Sequence, residues 1–461
     1  MNTTSPIKTA PSKASPRSLL LPAAALVLVM LAFNGLGGLW RKGAQRGLDA
    51  PLPVARLLPS DDAGSANAMR FLTARVGRDP DDFGAQVMLA GRYLQKLHQT
   101  GDHKYLPPAL NAARASLRSV GAEVNSGGLT ALVMAEQAGH NFVPARDDAL
   151  RLVKLQPTKS ESHALLGDAL LELGDYDGAA KAFARMEKFG GGSGAQTRLA
   201  RLDILRGQPE KAAERFSSAL VLALDAPAPN RETVAWCYWQ LGEVAFSVGD
   251  LDAAESRYRD ALTTAPDYFR ALASMGRVRA AQGDLEGGIA RYQEAIRAVP
   301  DPTFLAALGD LYHLSGRERE AKANYELAEL AAISPVSGGS LTEHRRLHSR
   351  QLALFLADHD LKPAAAYAAA KQEYSARRDI YGADALAWTA LKAGHLKEAQ
   401  AAIKAALKLG TRDAKLFYHA GMIARAGGDR SAARKHLQRA LDLNPHFDPL
   451  QATLAKKALD G

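Results

Sequence analysis

One pattern constrains this chain more than any other: it resembles itself at intervals of about 34 residues. The stretch YWQLGEVAFSVGDLDAAESRYRDALTTAP, ending at Pro266, aligns with LASMGRVRAAQGDLEGGIARYQEAIRAVP, ending at Pro300. Leu241-Gly242 is followed by Met275-Gly276 and then by Leu308-Gly309, at steps of 34 and 33 residues. Gly249-Asp250, Gly283-Asp284 and Gly316-Arg317 fall midway through the copies, and Tyr258, Tyr292 and Tyr325 each precede an alanine (Ala261, Ala295, Ala328) by three residues. A chain of 461 residues is too long for one compact core. A repeat array escapes that limit, because each unit packs only on its neighbours and the core grows lengthwise.

Within a copy, the pattern predicts two helices joined by a tight turn. Small residues on both helices let them approach closely, and bulky residues fill the space between them. Glycine after the first helix takes the left-handed conformation that closes the hairpin. Proline stops the second helix. Asp250, Asp284 and Asp429 recur at the turn. An acid repeated with the array suits capping, whereas a catalytic pair would not repeat.

These positions resemble the tetratricopeptide repeat, a helical hairpin of 34 residues with small, aromatic and closing proline positions. The frame continues at the end of the chain with Phe417, Ala420-Gly421, Gly428-Asp429, Ala433, Leu437, Ala440 and Pro445, and from Ile380 with Gly394, Ala399 and Ala406. Upstream it shows Leu166-Gly167, Gly174-Asp175, Ala179 and Phe183, then Ala200, Gly207, Ala212, Phe216 and Ala219. Weaker copies cover 83–119 (Leu89, Ala90, Tyr93), 126–158 (Leu132, Ala145, Pro157) and 346–378 (Leu352, Ala365, Ala369). The resemblance implies an all-α fold, a right-handed α-solenoid of about ten hairpins over residues 83–448. Gly190–Gly194, Asp225–Asn230 and Ser334–Ser340 interrupt the period, dividing the array into segments of about 83–220, 235–332 and 346–448 joined by candidate hinges. Residues 449–461 read as a C-terminal cap.

The N-terminal part is different. Residues 1–17 are rich in Ser, Thr, Pro and Lys and read as a disordered tail. Residues 18–40 contain LLLPAAALVLVMLAFNGLGGL, about twenty residues without a charge, enough to span a hydrocarbon core. Trp40, Arg41 and Lys42 follow as an interfacial belt, and 41–82 as a linker with a leading helix. The expectation is a single-pass transmembrane anchor after a short inside tail, with the body on the exported, periplasmic or extracellular side. The alternative is a cleaved signal segment that releases a secreted or periplasmic factor. The net charge of +9 is concentrated here: residues 1–59 carry +6. The body, at +3, has no basic stripe, so a nucleic-acid partner is not expected.

Chemistry is sparse in the rest of the sequence. The single Cys237, between Trp236 and Tyr238, excludes an internal disulfide and a cysteine-based metal cluster. GGGSG lacks the lysine and strand context of a phosphate loop. His344 and His348 share a helix face beside Glu343, with His359 downstream, but no third ligand converges with them in the sequence. No cofactor, metal, small-molecule substrate or catalytic residue is expected, and an enzyme built within the repeats is a remote alternative. The resemblance implies a protein-binding scaffold, for instance in envelope-associated complex assembly, whose first helices line an inner groove. The candidate groove residues are Trp236, Trp239, Glu243, Phe246, Arg270, Arg277, Asp310, His313, Tyr381, Trp388, Tyr418, Met422 and Arg425. Family members that grip a C-terminal carboxylate use lysine and asparagine where this chain has Trp239/Glu243, Ala273/Arg277 and Ala306/Asp310. That mode of capture is not expected.

Overall fold

Four of the hairpins, at Gly167, Gly242, Gly276 and Gly309, are built around the same close contact. The glycine of the first helix faces a ring of the second so tightly that a Cβ on Gly167 would lie 2.3 Å from Phe183, and one on Gly242 2.3 Å from Tyr258. The same holds for Gly276 against Tyr292 (2.8 Å) and Gly309 against Tyr325 (2.5 Å). A computed structural model describes residues 62–460 except 101, 228 and 334–340, with only the backbone of 62–65, 99–100 and 341–348. Among these residues it has 22 α-helices, one 3-10 turn and no strand.

A leading helix, α1 (Asp62–Arg78), precedes ten hairpins. They are α2–α3 (Phe83–Thr100, Leu106–Ser119), α4–α5 (Ser126–Ala138, Phe142–Leu155), α6–α7 (Ser160–Glu172, Tyr176–Lys188) and α8–α9 (Gly192–Leu205, Pro209–Leu224). Next come α10–α11 (Arg231–Ser247, Leu251–Thr264), α12–α13 (Phe269–Ala281, Leu285–Ala298) and α14–α15 (Pro302–Leu314, Glu318–Ile333). The last three are α16–α17 (Leu341–Asp358, Pro363–Ala376), α18–α19 (Ile380–Lys392, Leu396–Ala406) and α20–α21 (Ala414–Ala426, Arg430–Leu443), followed by a closing helix α22 (Gln451–Asp460). Even-numbered helices up to α20 are first helices, and α22 extends their row.

The turn acids do what capping chemistry requires. Asp250, Asp284 and Asp429 accept the backbone N–H of Ala253, Gly287 and Ala432, satisfying donors that the helix start leaves open. Of the GGGSG joint, only Gly190 and Gly191 stay outside a helix, since α8 begins at Gly192. Cys237 is fully buried, and burial pushes its thiol up to about 11. No described helix is long and apolar enough to cross a membrane; the candidate segment 18–40 lies outside the described residues.

The stack also returns on itself, which no single repeat announces. The Ile380 N–H donates to the Tyr176 hydroxyl at 2.8 Å, across 204 residues, or six periods. Thr411 donates its hydroxyl proton to the Leu205 carbonyl, and Arg412 pairs with Glu210 at 2.8 Å. Asn444 Nδ2 donates to the Phe246 carbonyl at 2.7 Å. Thus the hairpin turns of α6–α7, α8–α9 and α10–α11 meet the loops before α18, α20 and α22. Leu171, Tyr176, Phe183 and Leu205 share one apolar cluster with Ile380, Ala383, Leu386 and Leu416. This seam ties segment 83–220, and the start of segment 235–332, to segment 346–448.

Two turn glycines test the seam. Gly207 (φ +69°) would place a Cβ 2.3 Å from the Gly410 carbonyl oxygen, whereas Gly316 (φ +74°) has open space. Both alanine variants carry left-handed strain of about 1–2 kcal/mol. Gly207→Ala should lose roughly 1–3 kcal/mol more, by overpacking the seam, in urea unfolding of the full chain. Equal losses would show that these turns do not meet in solution.

Candidate partner-binding face

The face of the first helices that turns away from their hairpin partners carries a part-buried polar network. On α10, helical spacing puts Trp239, Glu243 and Phe246 on one side, where α12 brings Ser274 and Arg277 against them. Glu243 accepts from Ser274 Oγ (2.7 Å), the Tyr258 hydroxyl (2.7 Å) and Arg277 Nη2 (2.7 and 2.8 Å). Trp239 Nε1 donates to Ser274 Oγ at 3.0 Å, and the Arg277 guanidinium lies 3.9 Å from the Phe246 ring centre. Burial alone would raise the Glu243 carboxyl, but the Arg277 charge and these hydrogen bonds outweigh it and hold it below its usual range. Burial, then the neighbouring Glu243 carboxylate, pushes the Tyr258 hydroxyl well up. Trp239, Glu243, Phe246 and Arg277 are therefore one network.

The other candidate residues lie around it or apart from it. Trp236 turns back onto the preceding hairpin, edge-on to Phe216 at 5.9 Å. Arg270 sits over the Phe269 ring (4.5 Å) and near that of Trp239 (5.9 Å). Rings continue from Trp239 to Tyr268 (6.5 Å), Phe269 (6.0 Å) and Phe304 (6.1 Å), crossing α10, α12 and α14. Trp239, Phe269 and Phe304 are half-buried. Asp310 accepts from the Tyr325 hydroxyl at 2.9 Å and bonds His359 Nε2 at 2.7 Å, while the exposed His313 pairs with Glu318 at 2.8 Å.

Near the C-terminus the same face is closed over. Trp388 and Tyr418 are 2% and 1% exposed. The Trp388 ring stacks on the buried His419 at 4.3 Å, and Phe447 lies 5.6 Å from Tyr418. His419 Nδ1 bonds Asp384 at 2.8 Å. Tyr381 and Met422 are half-buried and Arg425 is exposed. Asp358 joins these helices, accepting from Trp388 Nε1 (2.8 Å), Lys415 Nζ (2.9 Å) and Gln451 Nε2 (2.6 Å). Four helices, α16, α18, α20 and α22, thus meet on one carboxylate. The periodic pattern does not single out Asp358, because its place has no acidic counterpart in neighbouring copies. Of the histidines considered for a metal, His359 is engaged by Asp310, and the side chains of His344 and His348 lie outside the described residues.

Removing Asp358 (Asp358→Ala) would leave Lys415 without its 2.9 Å partner. Urea unfolding should show a loss on the order of 3 kcal/mol, and a loss under about 0.5 kcal/mol would contradict the hub role. His359 gives a pH signature. Burial lowers its proton affinity, but the Asp310 hydrogen bond and charge outweigh that and raise it above the ordinary value. The stabilisation is fully present below about pH 6.5 and is lost as pH rises through the higher folded value. The melting temperature of the wild type should therefore fall more between about pH 6 and pH 8 than that of His359→Asn. Parallel curves would rule this linkage out.

Two tetratricopeptide repeat family models match the chain, one over residues 193–267 and the other over 130–193, 239–301, 274–335 and 385–446. Together they span more than half of its length. Among solved structures, that of MamA matches 35% of this chain and 92% of its own at 24% identity, with a TM-score of 0.29. The human IFIT1 dimer with PPP-AAAA matches 84% of this chain and 96% of its own at 15% identity, with a TM-score of 0.42. No curated protein matches the chain.

Proposed function

We propose that this chain, which belongs to the tetratricopeptide repeat family, is a scaffold that holds a protein or peptide partner against the first helices of its central repeats. One observation carries the choice of site. The rings of Trp239, Phe269 and Phe304, with Arg270 over the first two, remain half-buried across three successive hairpins. Aromatic and arginine side chains are the types that anchor protein interfaces once water is excluded. The C-terminal rings, Trp388 and Tyr418, already pack against the chain itself. Binding rather than catalysis fits the polar groups, since Glu243 and Asp358 each accept several internal hydrogen bonds, leaving them structural work.

The scaffold is proposed to be tethered by residues 18–40, with its body on the exported side of the membrane. The uncharged run and the Trp40-Arg41-Lys42 belt support this. Carbonate extraction of membranes should leave the full chain in the pellet and release a chain lacking residues 1–40. N-terminal sequencing that starts near residue 40 would instead identify a released periplasmic factor.

A photo-crosslinking amino acid at Arg270 should give a discrete adduct in the native cell, and the same probe at Lys322 should not. Arg270→Glu, with the probe at Phe304, should reduce that adduct at least about tenfold, in keeping with an interface anchor. Identical adduct patterns from positions 270 and 322 would overturn the assignment of this face.

A further inference from the structure

On the opposite side of α12 lies a second feature, unrelated to the aromatic face. Arg279 is two residues from Arg277, roughly 200° around the helix, so it points away from the Glu243 network. There it lines a cavity of about 300 Å³ with Arg259, Leu262 and Thr263 of α11, Met275 of α12 and Arg291 of α13. Three guanidiniums from three successive helices thus surround one opening, and its apolar lining is Leu262 and the buried Met275.

The acidic groups nearby leave this arrangement with spare positive charge. Glu255 takes Arg259 Nη2 (2.7 Å) and Arg279 Nη2 (2.9 Å) on one oxygen and Gln282 Nε2 (2.8 Å) on the other. One carboxylate therefore serves two arginines. Arg291 is held by Glu294 at 2.7 Å, a pair three residues apart on the surface of one helix. Such pairs contribute little and exchange readily. Each guanidinium has five N–H donors. The side chains of Arg259, Arg279 and Arg291 are 64%, 38% and 45% exposed, so donors remain for a ligand.

We propose that this cleft binds an acidic peptide segment in which carboxylate side chains flank an apolar one. The carboxylates would meet the arginines, which match their fork geometry, and the apolar side chain would cover Leu262 and Met275. A bare inorganic anion satisfies the arginines and leaves the apolar lining wet. A purely apolar segment does the reverse. The cleft would then give the scaffold a second point of attachment, on the face opposite the aromatic one.

The test uses the full chain and a fluorescent peptide with the core Glu-Leu-Glu and both ends blocked, read by anisotropy. Binding should weaken at least about tenfold for Gln-Leu-Gln and for Glu-Ser-Glu, and should fall steeply with added salt. Arg279→Glu and Arg259→Glu should each abolish it with an unchanged melting temperature, whereas Arg270→Glu should leave it intact. If Arg279→Glu unfolds the chain, the milder Arg291→Gln should still weaken binding several-fold. Equal affinity for Glu-Leu-Glu and Gln-Leu-Gln would overturn the proposal. So would equal affinity for Glu-Ser-Glu, or full displacement by inorganic phosphate at the peptide's own concentration, since both would reduce the cleft to a generic anion site. Loss of binding on Arg270→Glu alone would place the peptide on the aromatic face instead.

Discussion

In four of the ten hairpins the contact between a glycine on the first helix and a ring on the second sets how closely the two helices approach. With no Cβ at Gly242 or Gly276, the rings of Tyr258 and Tyr292 pack directly against the backbone of the first helix. A methyl group there would have to displace a buried ring, at a cost of roughly 1–3 kcal/mol. The same ring then organises the polar face. The Tyr258 hydroxyl reaches Glu243, and the Tyr325 hydroxyl, one pair of repeats later, reaches Asp310 across the same 15-residue separation. A packing residue thus also positions an acid on the outer side of the first helix.

Stacking hairpin on hairpin curves the array, and turns about six periods apart meet. The seam that results is partly apolar, through Tyr176, Leu205 and Ile380, and partly ionic. Arg377 joins Glu172, which also holds Arg201 at 2.6 Å, while Arg350 pairs with Glu373 at 2.7 Å and Asp379 at 3.0 Å. Burying so many charges adds little net stability, because desolvation offsets most of the attraction. Breaking one partner is costly, however, since the other is left buried and alone. Any bending at the expected hinges has to be compatible with these contacts or open them.

The two faces of α12 divide the chemistry. Towards the first helices, Arg277 is consumed by Glu243 and Phe246. Towards the second helices, Arg259 and Arg279 share a single carboxylate. Arginines two residues apart on one helix therefore have different availability, set by what the neighbouring hairpins bring opposite them.

The hairpins themselves were legible in the sequence, down to the capping role of Asp250 and Asp284, because each depends on contacts within about 34 residues and repeats ten times. Helical spacing also places Trp388 and Tyr418 on the face away from their hairpin partners. It says nothing of what covers that face, and the cover comes from Asp358 and Gln451 on other helices and Phe447 in the loop before the last one. Spacing equally cannot tell that Arg277 meets Glu243 while Arg279 does not. By itself, the sequence determined the repeat unit, its turns and its caps, since these are local and recur. The tertiary structure alone decided the seam, the Asp358 hub and which charges stay available, since these depend on the angle accumulated over six repeats.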